Sequence, residues 1–213
     1  MFAALSYAVT NSGRGGGGID KEQTEIAVAQ FIQSVGQIQS SLQRLQIIKG
    51  CSDTEISFIY DSNNDGVQDT NDEYRHFSGL SRTDCRLFHP DGAGLTFPEI
   101  PADINNGDPV IFSSFANVPG VGTSESELIM FAPYLTLDAC NTINERIDAP
   151  TDNGLPIEEG SSVSNGTFTG IYVAGAGINN MDSAYAGCFN GTNFGDDNAV
   201  GDSYFYYSVL IAR

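Results

Sequence analysis

The chain has 213 residues, enough for one domain with a sizeable core. Nine Lys and Arg against 27 Asp and Glu leave a net charge of −18, so duplex DNA and anionic lipid would repel it and no nucleic-acid partner is expected. The 24 glycines with 13 Phe and 9 Tyr point to a turn-rich β protein, while two histidines and no Trp leave little imidazole chemistry, so no enzyme is expected.

Residues 1–9 (MFAALSYAV) are apolar. As a helix they would span about 14 Å, against ~30 Å of bilayer hydrocarbon. No basic segment precedes them and no small-residue cleavage pattern follows, so they make a poor secretory leader. Two readings stay open: the end of a longer apolar helix, which would touch an inner membrane only before assembly, or a tip buried by copies of the same chain. Met1, Phe2, Leu5, Tyr7 and Val9 are the candidate contacts. Residues 10–18 are Gly-rich and read as a flexible joint, because each glycine disfavours helix by about 1 kcal/mol relative to Ala. A phosphate loop is excluded, since no Gly-Lys-Ser/Thr ends the run.

Asp20 then reads as an N-cap, with Gln23 at the capping-box position and Gly50 as the stop. Between them Val28, Phe31, Val35, Ile38, Leu42 and Leu45 recur at spacings of three and four, the signature of an amphipathic helix about 43 Å long. Ile26, Ile32, Ile47 and Ile48 are expected to widen that stripe. Val28, Phe31 and Val35 are also assigned to the assembly surface.

Beyond Cys51 the pattern changes to short strands, predicted at 55–60, 73–78, 86–89, 109–115, 127–134, 167–174, 185–189 and 203–212. The last is apolar enough to be central. A short helix is predicted at 137–147, capped by Thr136 and closed before Pro150, with a polar loop over 151–166. The domain reading is therefore a tip and joint (1–18), a long helix (19–50) and a β-rich head (51–213).

Cys51, Cys85, Cys140 and Cys188 are all at least 34 positions apart, which excludes a C-x-x-C metal or redox pair. In such an acidic chain they fit two disulfides formed in an oxidising, extracellular space. Of three connectivities, Cys51–Cys85 with Cys140–Cys188 is preferred; four buried thiols are the alternative.

The strongest chemical motif is DSNNDGVQDTND, residues 61–72. Counting Asp61 as position 1, side-chain oxygens fall at 1, 3, 5, 9 and 12 (Asp61, Asn63, Asp65, Asp69, Asp72), with Gly66 at 6 and the Val67 carbonyl available at 7. A hard Ca2+ ion wants six to eight oxygens, and carboxylates this close repel without a cation. Position 12 is Asp rather than Glu, and Glu73 stands next to it. The loop resembles those of dockerins and thrombospondin type 3 repeats. An ion-free acidic turn is the plainer reading of the same residues.

Weaker signals carry no chemistry. Asp196, Asp197, Asn198 and Asp202 lack ligand spacing. Gly175-Ala-Gly177 lacks the third glycine of a dinucleotide turn, and there is no G-x-S-x-G. Asn165-Gly-Thr167 and Asn190-Gly-Thr192 match the glycosylation acceptor pattern and are expected to be exposed. Tyr and Phe between 190 and 207 are expected at the surface, where they would meet a cell-surface or glycan ligand.

An apolar tip, a Gly-rich break, a long amphipathic helix and a disulfide-bonded β head resemble, in that order, type IV pilins and pseudopilins. The resemblance covers the layout of the whole chain. It implies an α+β fold, a long N-terminal helix packed on an antiparallel sheet, and a homopolymeric extracellular filament assembled through that helix. The family's N-terminal stretch is about twice as long and carries Glu at its fifth position, where this chain has Leu5. The competing expectation is a secreted calcium-binding β module that adheres without polymerising.

Overall fold

The computed structural model describes residues 16–69, 72–76, 82–159, 166–191 and 203–213. The expected tip contacts Met1, Phe2, Leu5, Tyr7 and Val9 lie outside them, as do Asp196, Asp197, Asn198 and Asp202.

The chain is α+β. One helix, α1, runs Gly16–Lys49 for 34 residues, about 51 Å. It begins earlier than the glycine composition suggested, since Gly16, Gly17 and Gly18 already lie in it. Asp20 is therefore inside the helix rather than its cap, and its carbonyl accepts the Thr24 hydroxyl at 3.1 Å. The stripe from Val28 to Leu45 is buried as its periodicity requires, each member at most 3% exposed. Ile26, Ile47 and Ile48 do not widen it: they are 59%, 82% and 69% exposed. Their positions fall on the opposite face, because the helix turns 100° per residue and the stripe already occupies the inner side.

Strands β1 (Ile111–Asn117), β2 (Glu127–Leu135), β3 (Thr151–Asp152), β4 (Leu155–Glu159), β5 (Ala176–Gly177), β6 (Ala186–Gly191) and β7 (Ser203–Ile211) form a sheet in the order β3-β4-β6-β7-β2-β1-β5. The sheet is mixed rather than antiparallel, because β1 pairs with β5 and β4 with β6 in parallel. The expected polar loop after residue 150 instead starts with the β3–β4 hairpin, turned by Asn153 and Gly154 at positive φ. The 167–174 strand does not form. That segment runs beside β1 through single bonds, Phe168 to Phe112 and Val173 to Ser114, and only β5 joins the ladder. Gly175 is required there, since a Cβ would collide with the Phe115 carbonyl.

β7 is central, as its apolar run predicts, and both sheet faces are covered. On one face Leu128, Met130, Ala132 and Tyr206 share a core with the α1 stripe, where the Phe31 and Tyr206 rings meet edge-on at 5.3 Å. Gln39 on α1 donates to the Ser208 hydroxyl at 3.0 Å. On the other face Ile129, Phe131, Phe205, Tyr207 and Val209 pack under Val118, Val121, Ile178 and Met181.

Helix α2 (Leu137–Ile147) forms as predicted, with the Thr136 hydroxyl accepting the Ala139 N–H at 3.2 Å and Asp148 closing it in the left-handed region. It is tied to β6 twice. Cys140 is disulfide-bonded to Cys188, and buried Asn144 exchanges two 2.7 Å hydrogen bonds with the Cys188 backbone. The other disulfide, Cys51–Cys85, joins the chain just past α1 to the 3-10 turn Thr83–Cys85. Both pairings agree with the preferred connectivity, and they fit a secreted or extracellular protein. No helix among the described residues is long and apolar enough to cross a membrane.

Around the first disulfide, the predicted strands at 55–60 and 86–89 reduce to one parallel bridge, Ser57 with Arg86; 73–74 is turn, 75–76 is irregular, and 77–78 lies outside the described residues.

Candidate functional site

The acidic loop leaves the core at Tyr60 and returns at Tyr74, both held in an aromatic cluster with Phe58, Phe88, Phe97 and Phe112. Tyr60 stacks on Phe97 at 4.0 Å and Phe58 on Phe112 at 4.1 Å. The loop thus hangs from a rigid base.

Within it, short polar side chains fold the backbone inward. Asp61 accepts the N–H of Asp65 at 3.1 Å on one carboxylate oxygen and that of Gly66 at 2.8 Å on the other. Asn63 Oδ1 accepts the Asp65 N–H, Asn63 Nδ2 donates to Asp65 Oδ2, and Asp65 Oδ1 accepts the Val67 N–H. Gly66 takes φ +86, where a side chain would be strained, and permits the reversal at position 6. Asp61, Asn63 and Asp65 are thereby brought together at the loop tip.

Asp72 does something different. It is 6% exposed, and its Oδ1 accepts both the N–H and the hydroxyl of Ser62, while Oδ2 accepts the Asp69 N–H at 2.7 Å. This carboxylate staples the loop's entry to its exit. Arg86, 3% exposed, lies close enough to Asp72 to be stabilised by its charge, although burial is the larger influence and pulls the guanidinium pKa down. Arg86 also donates to the Gln68 carbonyl at 3.4 Å, and Gln68 donates to the Phe88 carbonyl. Sequence reasoning missed Arg86; its only signal was a lone basic residue beside Cys85 in a strongly acidic chain. Val67 is 57% exposed and Glu73 is also at the surface. Among the described residues no group of three or more His, Cys, Asp or Glu side chains forms a metal-binding set.

The residues assigned to self-assembly separate in the same way. Val28, Phe31 and Val35, at 0%, 0% and 3% exposure, are buried by the chain's own core. They are therefore not available as an assembly surface, because an apolar stripe cannot serve the fold and an external contact at once. Of the expected aromatic contact surface, Phe205, Tyr206 and Tyr207 are buried in the sheet, with the Tyr206 phenol pushed up to about 12 by desolvation, whereas Tyr204 is partly exposed and Phe194 lies outside the described residues. Asn190 of the second acceptor pattern lies in β6, partly buried, whereas Asn165 and Thr192 fall outside the described residues.

One buried carboxyl was not foreseen. Glu127, at the start of β2, is 0% exposed; its Oε2 accepts the Val118 N–H at 2.9 Å and its Oε1 has no hydrogen-bond partner among the described residues. Desolvation pushes its pKa up, partly opposed by hydrogen bonds from backbone amides.

Comparison with family models, curated proteins and solved structures finds no match for the chain.

Proposed function

We propose that the chain is a non-catalytic, structural subunit of an extracellular filament of the type IV pilus-like class, a homopolymer built through its N-terminal helix. In this reading α1 backs the sheet of the head, as in pilins, and an ordered acidic loop holds Ca2+. The observation that carries it is the asymmetry of α1. Its buried residues begin only at Ala27 and none of residues 20–26 is fully buried, while the apolar residues 1–9 stand upstream of the helix in the sequence. Apolar area is stabilised by about 25 cal/mol per Å2 when it leaves water, which favours bundling of such leading segments.

Negative-stain microscopy of the native full chain tests this directly: filaments are expected, and monodisperse monomers at high concentration would overturn it. For the ion, Asp61, Asn63 and Asp65 would supply the oxygens at the loop tip, with the Val67 carbonyl, Asp69 and Asp72 completing the expected set. Asp65→Ala should lower the melting temperature in millimolar calcium and change little in EDTA. Equal loss in both buffers would show that Asp65 acts only through its hydrogen bonds. The adhesive alternative keeps only part of its expected contact surface, since Phe205, Tyr206 and Tyr207 are buried, Tyr204 is partly exposed, and Phe194 lies outside the described residues.

A further inference from the structure

The outward face of α1 is unlike the rest of this molecule. Of the exposed positions from Ile26 to Ile48, Arg44 alone is charged, although the chain carries a net charge of −18. The others are Gln, Ser, Gly and three exposed isoleucines. Depletion of charge with retained apolar residues marks the centre of protein contacts rather than free surface. For two copies of a chain this acidic, such a face is also where approach costs least in mutual repulsion.

Its two ends are complementary. Glu22, Ile26, Gln33, Gln37 and Arg44 follow one another at helical spacings on a single side. Glu22 and Arg44 are 22 residues apart, about 33 Å along the axis. Neither makes an ion pair among the described residues. Glu22 also borders a shallow depression of about 280 Å3, with Glu25, Ile26, Ala29 and Arg146 as its other walls. The Glu22 and Glu25 carboxylates, the latter also 3.9 Å from the Lys21 ammonium, beside Ile26 and Ala29 suit the guanidinium and aliphatic stem of an arginine. Arg146 shares the depression without pairing to either carboxylate.

We infer that this face binds a second copy of the same chain, displaced along the helix so that Arg44 of one copy enters the Glu22–Glu25 depression of the next. The contact is heterologous and open-ended. It rests on the filament reading and supplies the lateral surface that reading lacks once Val28, Phe31 and Val35 are turned inward.

The test uses the native full chain in four forms: unaltered, Glu22→Arg, Arg44→Glu, and both together. Each single change should reduce sedimentable polymer by about tenfold or more through like-charge contact, and the double change should restore it. Gln33→Glu, which places a charge in the bare centre, should also reduce it. Melting temperatures should stay level, since all three sites lie outside the core. Filaments indifferent to every change would overturn this inference and leave the filament reading standing. A discrete dimer with the same charge-swap pattern would overturn the open-ended contact and the filament together, since a closed dimer is isologous. Monomers throughout would overturn both.

Discussion

The described parts of residues 51–100 and the sheet from β1 to β7 both contribute buried residues to the core, yet they are ordered by different means. In the sheet, adjacent strands satisfy one another's backbone, so side chains need only fill the two faces. In the 51–100 segment almost no ladder exists, and side chains take over. The Tyr74 hydroxyl donates to the Val110 carbonyl and accepts the Phe112 N–H. Gln68 donates to Phe88, and His76 donates from Nε2 to the Thr54 carbonyl. Irregular backbone can thus be held at the core where side chains supply hydrogen-bond partners in place of a neighbouring strand and an aromatic cluster fixes the geometry.

That contrast can be broken at several points. The largest effect is expected from Phe58→Ala, which empties a fully buried site touching the rings of Tyr74, Phe88, Phe112 and Phe168. It should cost about 3–5 kcal/mol in chemical denaturation. Phe131→Ala in the sheet should cost a similar amount. In hydrogen exchange, Phe58→Ala should expose residues 51–100 first, whereas Phe131→Ala should lower protection throughout. Simultaneous loss in both variants would show that the halves are one cooperative unit.

The disulfides sharpen the same point. They span similar separations, 34 and 48 residues, so loop closure predicts nearly equal stabilisation, up to about 4 kcal/mol each. Replacing Cys51 and Cys85 by Ala should therefore cost about as much as replacing Cys140 and Cys188. Limited proteolysis should separate them, with early cutting between 51 and 100 only in the first variant.

A smaller loss, about 1–3 kcal/mol, is expected for Asn144→Ala, which leaves the buried Cys188 N–H and carbonyl without their α2 partner. Denaturant midpoints would measure it, and an unchanged midpoint would show that another group replaces the amide.

The mildest effect is expected at Glu127. Its folded pKa lies above the unfolded value of about 4.3, so the native state holds the proton more tightly. This group's contribution is fully favourable below the unfolded pKa and is lost as pH rises through the folded one. Glu127→Gln keeps an acceptor for Val118 and should remove that slope. Melting curves of both proteins over mildly acidic to neutral pH would reveal it; parallel curves would mean that Glu127 titrates normally.

The most legible elements were those whose signal is local. The α1 stripe, the capped α2 and the strands β1, β2, β6 and β7 all carry their own periodicity or apolar run within ten to thirty residues. The acidic loop was legible as a turn with inward oxygens, because alternating Asp and Asn around Gly66 leaves the backbone few other folds. The distinct role of Asp72 was not, since Ser62 and Arg86 are separated from it in sequence by 10 and 14 positions. The strands predicted at 55–60 and 86–89 failed for a related reason. EISFIY has strand-like composition, but its rings pack into an aromatic cluster instead of finding a strand partner.

By itself, then, the amino-acid sequence determined where helix and strand periodicities lie, that the chain is strongly acidic, and which residues can form the tight Asp and Asn turn around Gly66. Tertiary structure alone decided the mixed sheet order, the burial of Val28, Phe31 and Val35 by their own head, and the turning of Ile26, Ile47 and Ile48 to the outside. The reason is physical: periodicity states that a helix has an apolar side, but only the packed neighbours determine which residues that side includes and what remains for another molecule to touch.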